Sequence, residues 1–576
     1  MFSLAAVRLH FCDTPMNRRD LLRLAPAAAL LASETASGQQ QQQAAPGPQF
    51  TREQLRQALA LAGLDFKDEQ LDLMLPSVSR GVNGYAELRK IAVPLDTDPA
   101  FRFDPLFAGK AMPAAGKFKA SKQKGVEFKD IDDLAYAPVT RLADLVRRKR
   151  VTSTQLTKMY LERLKKHSPT LLCTIALTEA LALEQAARAD AEIRRGKYKG
   201  PLHGIPYGAK DLFATKGIKT TWGAEPFQEQ TLDYNATVID KLEKAGAVLL
   251  AKLSMGALAQ GGLWFGGMTK TPWNIEQTSS GSSAGSASAT AAGLVAFSLG
   301  TETLGSIISP STRCGVTGLR PTFGRVSRAG AMALCWTMDK VGPICRSIED
   351  CMLVLREIQG SDGKDLSVHA GAPLAWNPAA KLSLLKVGVL QKDFERQSNG
   401  SRKKVYEDAL AALGKAGVKL ETATLPDFNA QSLMVILNAE AGAAFDDITR
   451  DGQVEKLSGQ KANDWPNSFR SSRMVPAVEY IRAMRARTLL MREFDKLMSQ
   501  WDVLVSPNFS QSLTMTNMTG HPQMCVPCGN VEGKDPVSIL FTGRLFEEGT
   551  AARVAMAYQQ STDWHLKQPP GFEAGR

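Results

Sequence analysis

Residues 279–318 read SSGSSAGSASATAAGLVAFSLGTETLGSIISPSTRCGVTG, and this run constrains the fold more than any other part of the chain. Small residues dominate it, with serines set beside glycines. Glycine admits positive φ and lets other groups approach the backbone closely. Serine places a hydroxyl donor and acceptor at short range. That composition is a poor recipe for a packed helix or strand, and it predicts a backbone shaped around a reaction centre.

The flanking sequence alternates between two periodicities. Helical spacing runs over 51–75, 140–150, 153–166 (with Ser153 as N-cap) and 176–195, then over 238–245, 402–416, 434–450 and 475–500. Short apolar strands fit 205–208, 247–250, 385–390 and 418–422. Alternation of this kind predicts an α/β fold. Residues 98–124, rich in Pro, Gly and Lys, read as a linker or wrapping arm, and the helices of 434–450 and 475–500 as a cap on the substrate side.

Of the 576 residues, 44% are hydrophobic and 22% charged, which are globular values. The net charge of +12 favours anionic partners in general. Arg147–Arg150 is the one dense basic run, and on a helix it reads as a solvated face, so nucleic-acid binding is not expected. Arg18 and Arg19 precede an apolar run over 24–32 and small residues to Ser37, the pattern of a twin-arginine export signal. Export to the periplasm or beyond is therefore expected, with Met16 as a second candidate start. The apolar run is too short to span a membrane. Cys525 and Cys528 form a CxxC without a second pair, so neither a metal nor a cofactor is expected.

GSSAGSASATAAG followed by GTETLGSI resembles the signature of the amidase signature family, and GPLHGIPYGAKDLF (200–213) resembles that family's lysine motif. NATVIDKLEKAGAVLLAKLSM, TPWNIEQT, DVLVSPN and TNMTGHPQMCVPCG follow as further family-like segments in the same order, so the likeness covers roughly 130–570. It implies an α/β fold with a large mixed central β-sheet covered by helices on both faces. The chain then divides into a leader (1–45), an N-terminal helical extension and arm (46–125) and an amidase domain (126–570).

Amide hydrolysis needs an activated nucleophile, a proton for the leaving nitrogen and donors for the oxyanion. None of the six histidines sits in an obvious Ser-His-Asp motif, so lysine is the candidate base, provided burial lowers its pKa. The resemblance implies Lys210 as that base, Ser282 as a bridging serine that follows a cis peptide bond, and Ser306 as the nucleophile. It also implies that the amides of Thr303, Leu304, Gly305 and Ser306 form the oxyanion hole, with Ser283 and Thr301 in support. Three positions leave the family pattern: Leu304 for Gly or Asp, Ile308 for Arg, and Ala284 for Gly.

The expected activity is hydrolysis of a small-molecule amide, with esters and carbamates open to the same machinery and a homodimer possible. A glutaminase subunit of a tRNA-dependent amidotransferase is the alternative, and a catalytically dead binding protein on the same fold is the third reading. Leu304 and Ile308 are the positions at which substrate size and charge preference are expected to depart from the family.

Overall fold

The computed structural model describes residues 50–574 apart from 92, 94–96, 98–100, 108, 122–126 and 398–399. The export segment therefore lies outside the described residues. The chain forms two compact units that divide between Ala92 and Val93.

In the first unit the helical pattern of 51–75 resolves into two helices, Arg52–Leu61 and Asp68–Leu88. Thr51 caps the first: its Oγ1 accepts the Gln54 amide while the Gln54 side chain accepts the Thr51 amide. Gly63, at φ +69°, turns the chain out of that helix. Leu55, Leu71 and Leu75 bury together between the two, and Arg52 bridges them through Asp68 and Asp72.

The second unit is built on one mixed sheet of eleven strands among the described residues. In chain order these are β1 (Thr174–Leu177), β2 (Pro206–Lys210), β3 (Val248–Leu253), β4 (Phe297–Glu302), β5 (Thr317–Arg320) and β6 (Lys340–Cys345). They continue as β7 (Val387–Leu390), β8 (Leu420–Ala423), β9 (Val503–Pro507), β10 (Gln523–Val531) and β11 (Asp535–Gly543). The spatial order is β1-β3-β2-β4-β6-β5-β10-β11-β9-β7-β8. β2 runs parallel to both β3 and β4, whereas β4, β6, β5, β10, β11 and β9 pair antiparallel in succession. Helices cover both faces. β2 and β3 are buried at every position, apolar but for Lys210 and Lys252.

Two local expectations are corrected. Residues 176–195 are not one helix: β1 ends at Leu177 and the helix is Glu179–Arg194. Pairing of β1 with β3 wins over helical propensity there, and Thr178 Oγ1 donates to Leu249 O at 2.6 Å to turn the chain. The cap of the helix Ser153–Leu171 is Thr152, whose side chain accepts the Gln155 amide, while the Ser153 hydroxyl donates to Gly204 O.

The small-residue run also folds differently from expectation, because Ala284–Ala291 is a helix buried at every position. Small side chains let it sit close against the sheet. A Cβ on Gly285 would lie 2.3 Å from Cys173 O, so only glycine permits that approach.

Candidate active site

Parallel pairing of β2 and β4, with Tyr207 opposite Phe297 and Ala209 opposite Leu299, carries the ends of both strands to the same edge. Lys210 ends β2 and is fully buried. Its Nζ lies 2.8 Å from Ser282 Oγ and 2.8 Å from Thr301 Oγ1. Burial drives the Lys210 pKa down from 10.5 to about 7, against weaker opposing pulls from Asp339 and Glu302.

Ser282 follows a cis peptide bond from Gly281. A Cβ on Gly281 would fall 1.7 Å from Gly261 O, which explains the glycine. Next in sequence, Ser283 fastens this turn to β4: its Oγ accepts the Thr301 amide and donates to Thr301 O, both at 3.1 Å. The Ser283 amide donates to Ser306 O at 3.2 Å, which ties the turn to residues 303–306.

That second segment is shaped by Gly305, at φ +88°, a conformation L side chains adopt only under strain. Ser306 is partly exposed, unlike Lys210 and Ser282. Its hydroxyl makes no hydrogen bond among the described residues. Nor does any described group accept a hydrogen bond from the backbone amides of Leu304, Gly305 or Ser306. They remain available to a substrate oxygen.

Glu302, at the end of β4, holds this segment in place and was not singled out from sequence. Its Oε2 accepts the amides of Ile307 and Ile308, both at 2.9 Å. Its Oε1 accepts from Arg320 Nη1 at 2.7 Å and Asn517 Nδ2 at 2.9 Å. Burial pushes the Glu302 carboxyl up, but Arg320, the Ile308 amide and Asn517 outweigh it and hold it below its ordinary value. Thr303 is anchored separately, its Oγ1 donating to Asp339 Oδ1 at 2.5 Å while Asp339 Oδ2 accepts the Leu334 and Cys335 amides.

Thr301 and Thr303 line a cavity of about 260 Å³. Its other walls mix apolar side chains, among them Leu212, Met332, Leu334 and Trp336, with polar and charged ones, among them Asn235, Arg328, Asp339 and Lys340. The segment 333–339 forms one wall and is clamped from behind by Glu440, which accepts the Thr337 amide at 3.0 Å and its hydroxyl at 2.6 Å. Tyr480 donates to the same carboxylate at 3.0 Å. None of these wall residues carried a sequence motif.

Ile308 lies 2% exposed in a small cluster with Cys525 and Leu540, so it faces the core and not the cavity. Leu304 is half-buried against the main core. Two other buried lysines differ from Lys210. Lys252 has a carboxylate partner, Asp211, at 3.1 Å, and Lys340 donates to Met338 O. Among the described residues no cluster of three or more His, Cys, Asp or Glu is placed to hold a metal, and the seven described cysteines are buried and unpaired. No described helix is long and apolar enough to cross a membrane.

Comparison with known proteins bears on most of this unit. The Amidase family model matches residues 155–517. A glutamyl-tRNA(Gln) amidotransferase subunit of Moorella thermoacetica is 32% identical over 486 residues, covering 76% of this chain and 99% of that protein. Its counterpart in a Marinomonas species is 34% identical over 480 residues, 75% of this chain and 98% of that one. Among solved structures, the native peptide amidase of Stenotrophomonas maltophilia superposes with a TM-score of 0.69 at 29% identity, covering 77% of this chain and all of that one.

Proposed function

Because the chain belongs to the amidase family of amidohydrolases, we propose that it cleaves a carboxylic amide through an acyl-enzyme on Ser306, with Ser282 and Lys210 as the proton relay. The contact of 2.8 Å between Lys210 Nζ and Ser282 Oγ carries this reading. A lysine whose pKa falls to about 7 is neutral often enough near neutrality to act as a base.

Ser306 Oγ attacks the carbonyl carbon as its proton moves to Ser282 Oγ, and the Ser282 proton moves to Lys210 Nζ. The amides of residues 303–306, Thr303 included, hold the oxyanion. Removal of one such donor typically costs about 10²–10³ in rate. Collapse breaks the C–N bond, and the proton returns from Lys210 through Ser282 to the leaving nitrogen. Ammonia or an amine departs. Water then attacks the acyl ester through the same relay, releasing the acid and restoring Ser306. Ser283 and Thr301 hold the relay serine and the lysine in register. The cavity lies just below the usual ligand range of about 300–1,000 Å³ and suits a small amide.

Ser306→Ala should abolish labelling by a fluorophosphonate probe. Full-stoichiometry labelling of that variant would remove Ser306 as the nucleophile. A second reading, a glutaminase component that works with partner chains, draws on the 32% identity to the Moorella protein. Purified single-chain turnover of aryl and alkyl amides, without glutaminase activity, excludes it. Export through Arg18 and Arg19 is part of the proposal, and cell fractionation that finds the full-length chain in the cytoplasm overturns it.

A further inference from the structure

The helix Ala477–Gln500 has two faces of opposite character. Inward, Arg487 is buried and donates to the Thr337 carbonyl at 2.9 Å and its hydroxyl at 3.0 Å, which fixes the helix to the cavity wall. Outward, Val478, Ile481 and Leu489 are 72%, 58% and 53% exposed. Arg482, Arg485 and Arg492 lie among them on a shallow groove. At 100° per residue all six fall within roughly 60° of one line along the helix, and they extend over about 21 Å. None of the three arginines makes an ion pair or hydrogen bond among the described residues. The nearby acidic groups on this helix are few. Glu493, at the edge of the stripe, pairs with Lys496 at 2.8 Å, Asp495 pairs with Lys110, and Glu479 lies about 110° round the helix from the centre of the stripe.

We propose that this stripe docks the protein on an anionic lipid surface, with Val478, Ile481 and Leu489 entering the headgroup boundary and the three arginines meeting lipid phosphates. A helix that carries aliphatic residues and arginines on one exposed face matches an interfacial helix. The apolar side chains bury shallowly and the long cationic ones reach the headgroups. Charge complementarity selects the surface: the stripe and the whole chain, at +12, are cationic. A nucleic acid would satisfy the arginines and leave the aliphatic residues in water. A second copy would set arginine against arginine.

The test is sedimentation of the full chain with vesicles of phosphatidylcholine alone or with about three-tenths phosphatidylglycerol, at low and high salt. The expected result is binding to the anionic vesicles only, weakened at least about tenfold by Arg482→Glu/Arg485→Glu/Arg492→Glu through loss of phosphate contacts. Ile481→Ser/Leu489→Ser should weaken it as well, with thermal unfolding and turnover of a soluble amide unchanged in both variants. Failure of the intact chain to bind anionic vesicles overturns the proposal. So does unchanged binding by the serine variant, which would mark the stripe as a polyanion site. A mass in solution that doubles, and reverts to one chain in the serine variant, reassigns the face to a second copy.

Discussion

Acidification should switch the enzyme off through Lys210, and the structure sets where. The Nζ is fully buried, and its hydrogen-bond partners are two hydroxyls, not a carboxylate. Burial therefore dominates and brings the pKa from 10.5 to about 7. The fall from 10.5 to about 7 corresponds to about 5 kcal/mol in favour of the neutral amine. Two units below that pKa about one amine in a hundred is neutral. kcat/KM for a soluble amide should thus fall about 100-fold near pH 5 and level off above about pH 8. The sign for stability is the same. Between about pH 7 and 10.5 the unfolded chain binds a proton that the folded chain has shed, so stability rises with pH across that window and is lost as pH falls towards 7. Initial rates across this range give the limb. Lys340 also falls to about 7, through burial first and Arg320 second, so it needs its own control. Lys340→Met should retain the limb. Lys210→Arg keeps the charge permanently and should be inactive at every pH. A flat profile, a limb lost in Lys340→Met, or an active Lys210→Arg refutes the reasoning.

Two further outcomes follow from the walls of the site. Glu302→Gln replaces a carboxylate that takes four hydrogen bonds, two of them from Ile307 and Ile308. It should lower kcat about 100-fold with little change in KM, as expected when groups facing the transition state lose their aim, and Glu302→Asp should recover part of the loss. A rise in KM alone would make Glu302 a substrate-side group. Trp336→Ala removes the bulkiest wall of the cavity. The ratio of kcat/KM for a bulky aryl amide over a small alkyl amide should rise about tenfold or more, while probe labelling of Ser306 persists. An unchanged ratio places the acyl group elsewhere.

The parts of the site that were legible are those whose chemistry is written contiguously. Lys210, Ser282 and Ser306 sit in contiguous motifs whose resemblance to the family implied one centre, and the structure brings Lys210 and Ser282 into contact at 2.8 Å. What stayed illegible depends on distant partners. Glu302 stands inside the same run, yet its function is set by Arg320 and by Asn517, which reaches it from 215 positions away. The 333–339 wall is held by Glu440 and Tyr480, from later helices whose sequence carries no motif. The fold class was readable from alternating periodicities. The helix Ala284–Ala291 was not, because alanine, serine and glycine show no periodicity when every face is buried.

The departures from the family pattern follow the same logic of position. Arginine is the family's usual residue where this chain has Ile308, and its loss suggested an altered charge preference at the site. Here the isoleucine closes an apolar cluster with Cys525 and Leu540, where a guanidinium would find no acidic partner in that cluster. The cation beside Glu302 is Arg320 on β5, at 2.7 Å and fully buried. Ile308 accordingly bears on packing behind the Ser306 segment, and under the proposed reading selectivity falls to the residues that line the cavity, Trp336, Met332 and Leu334 among them.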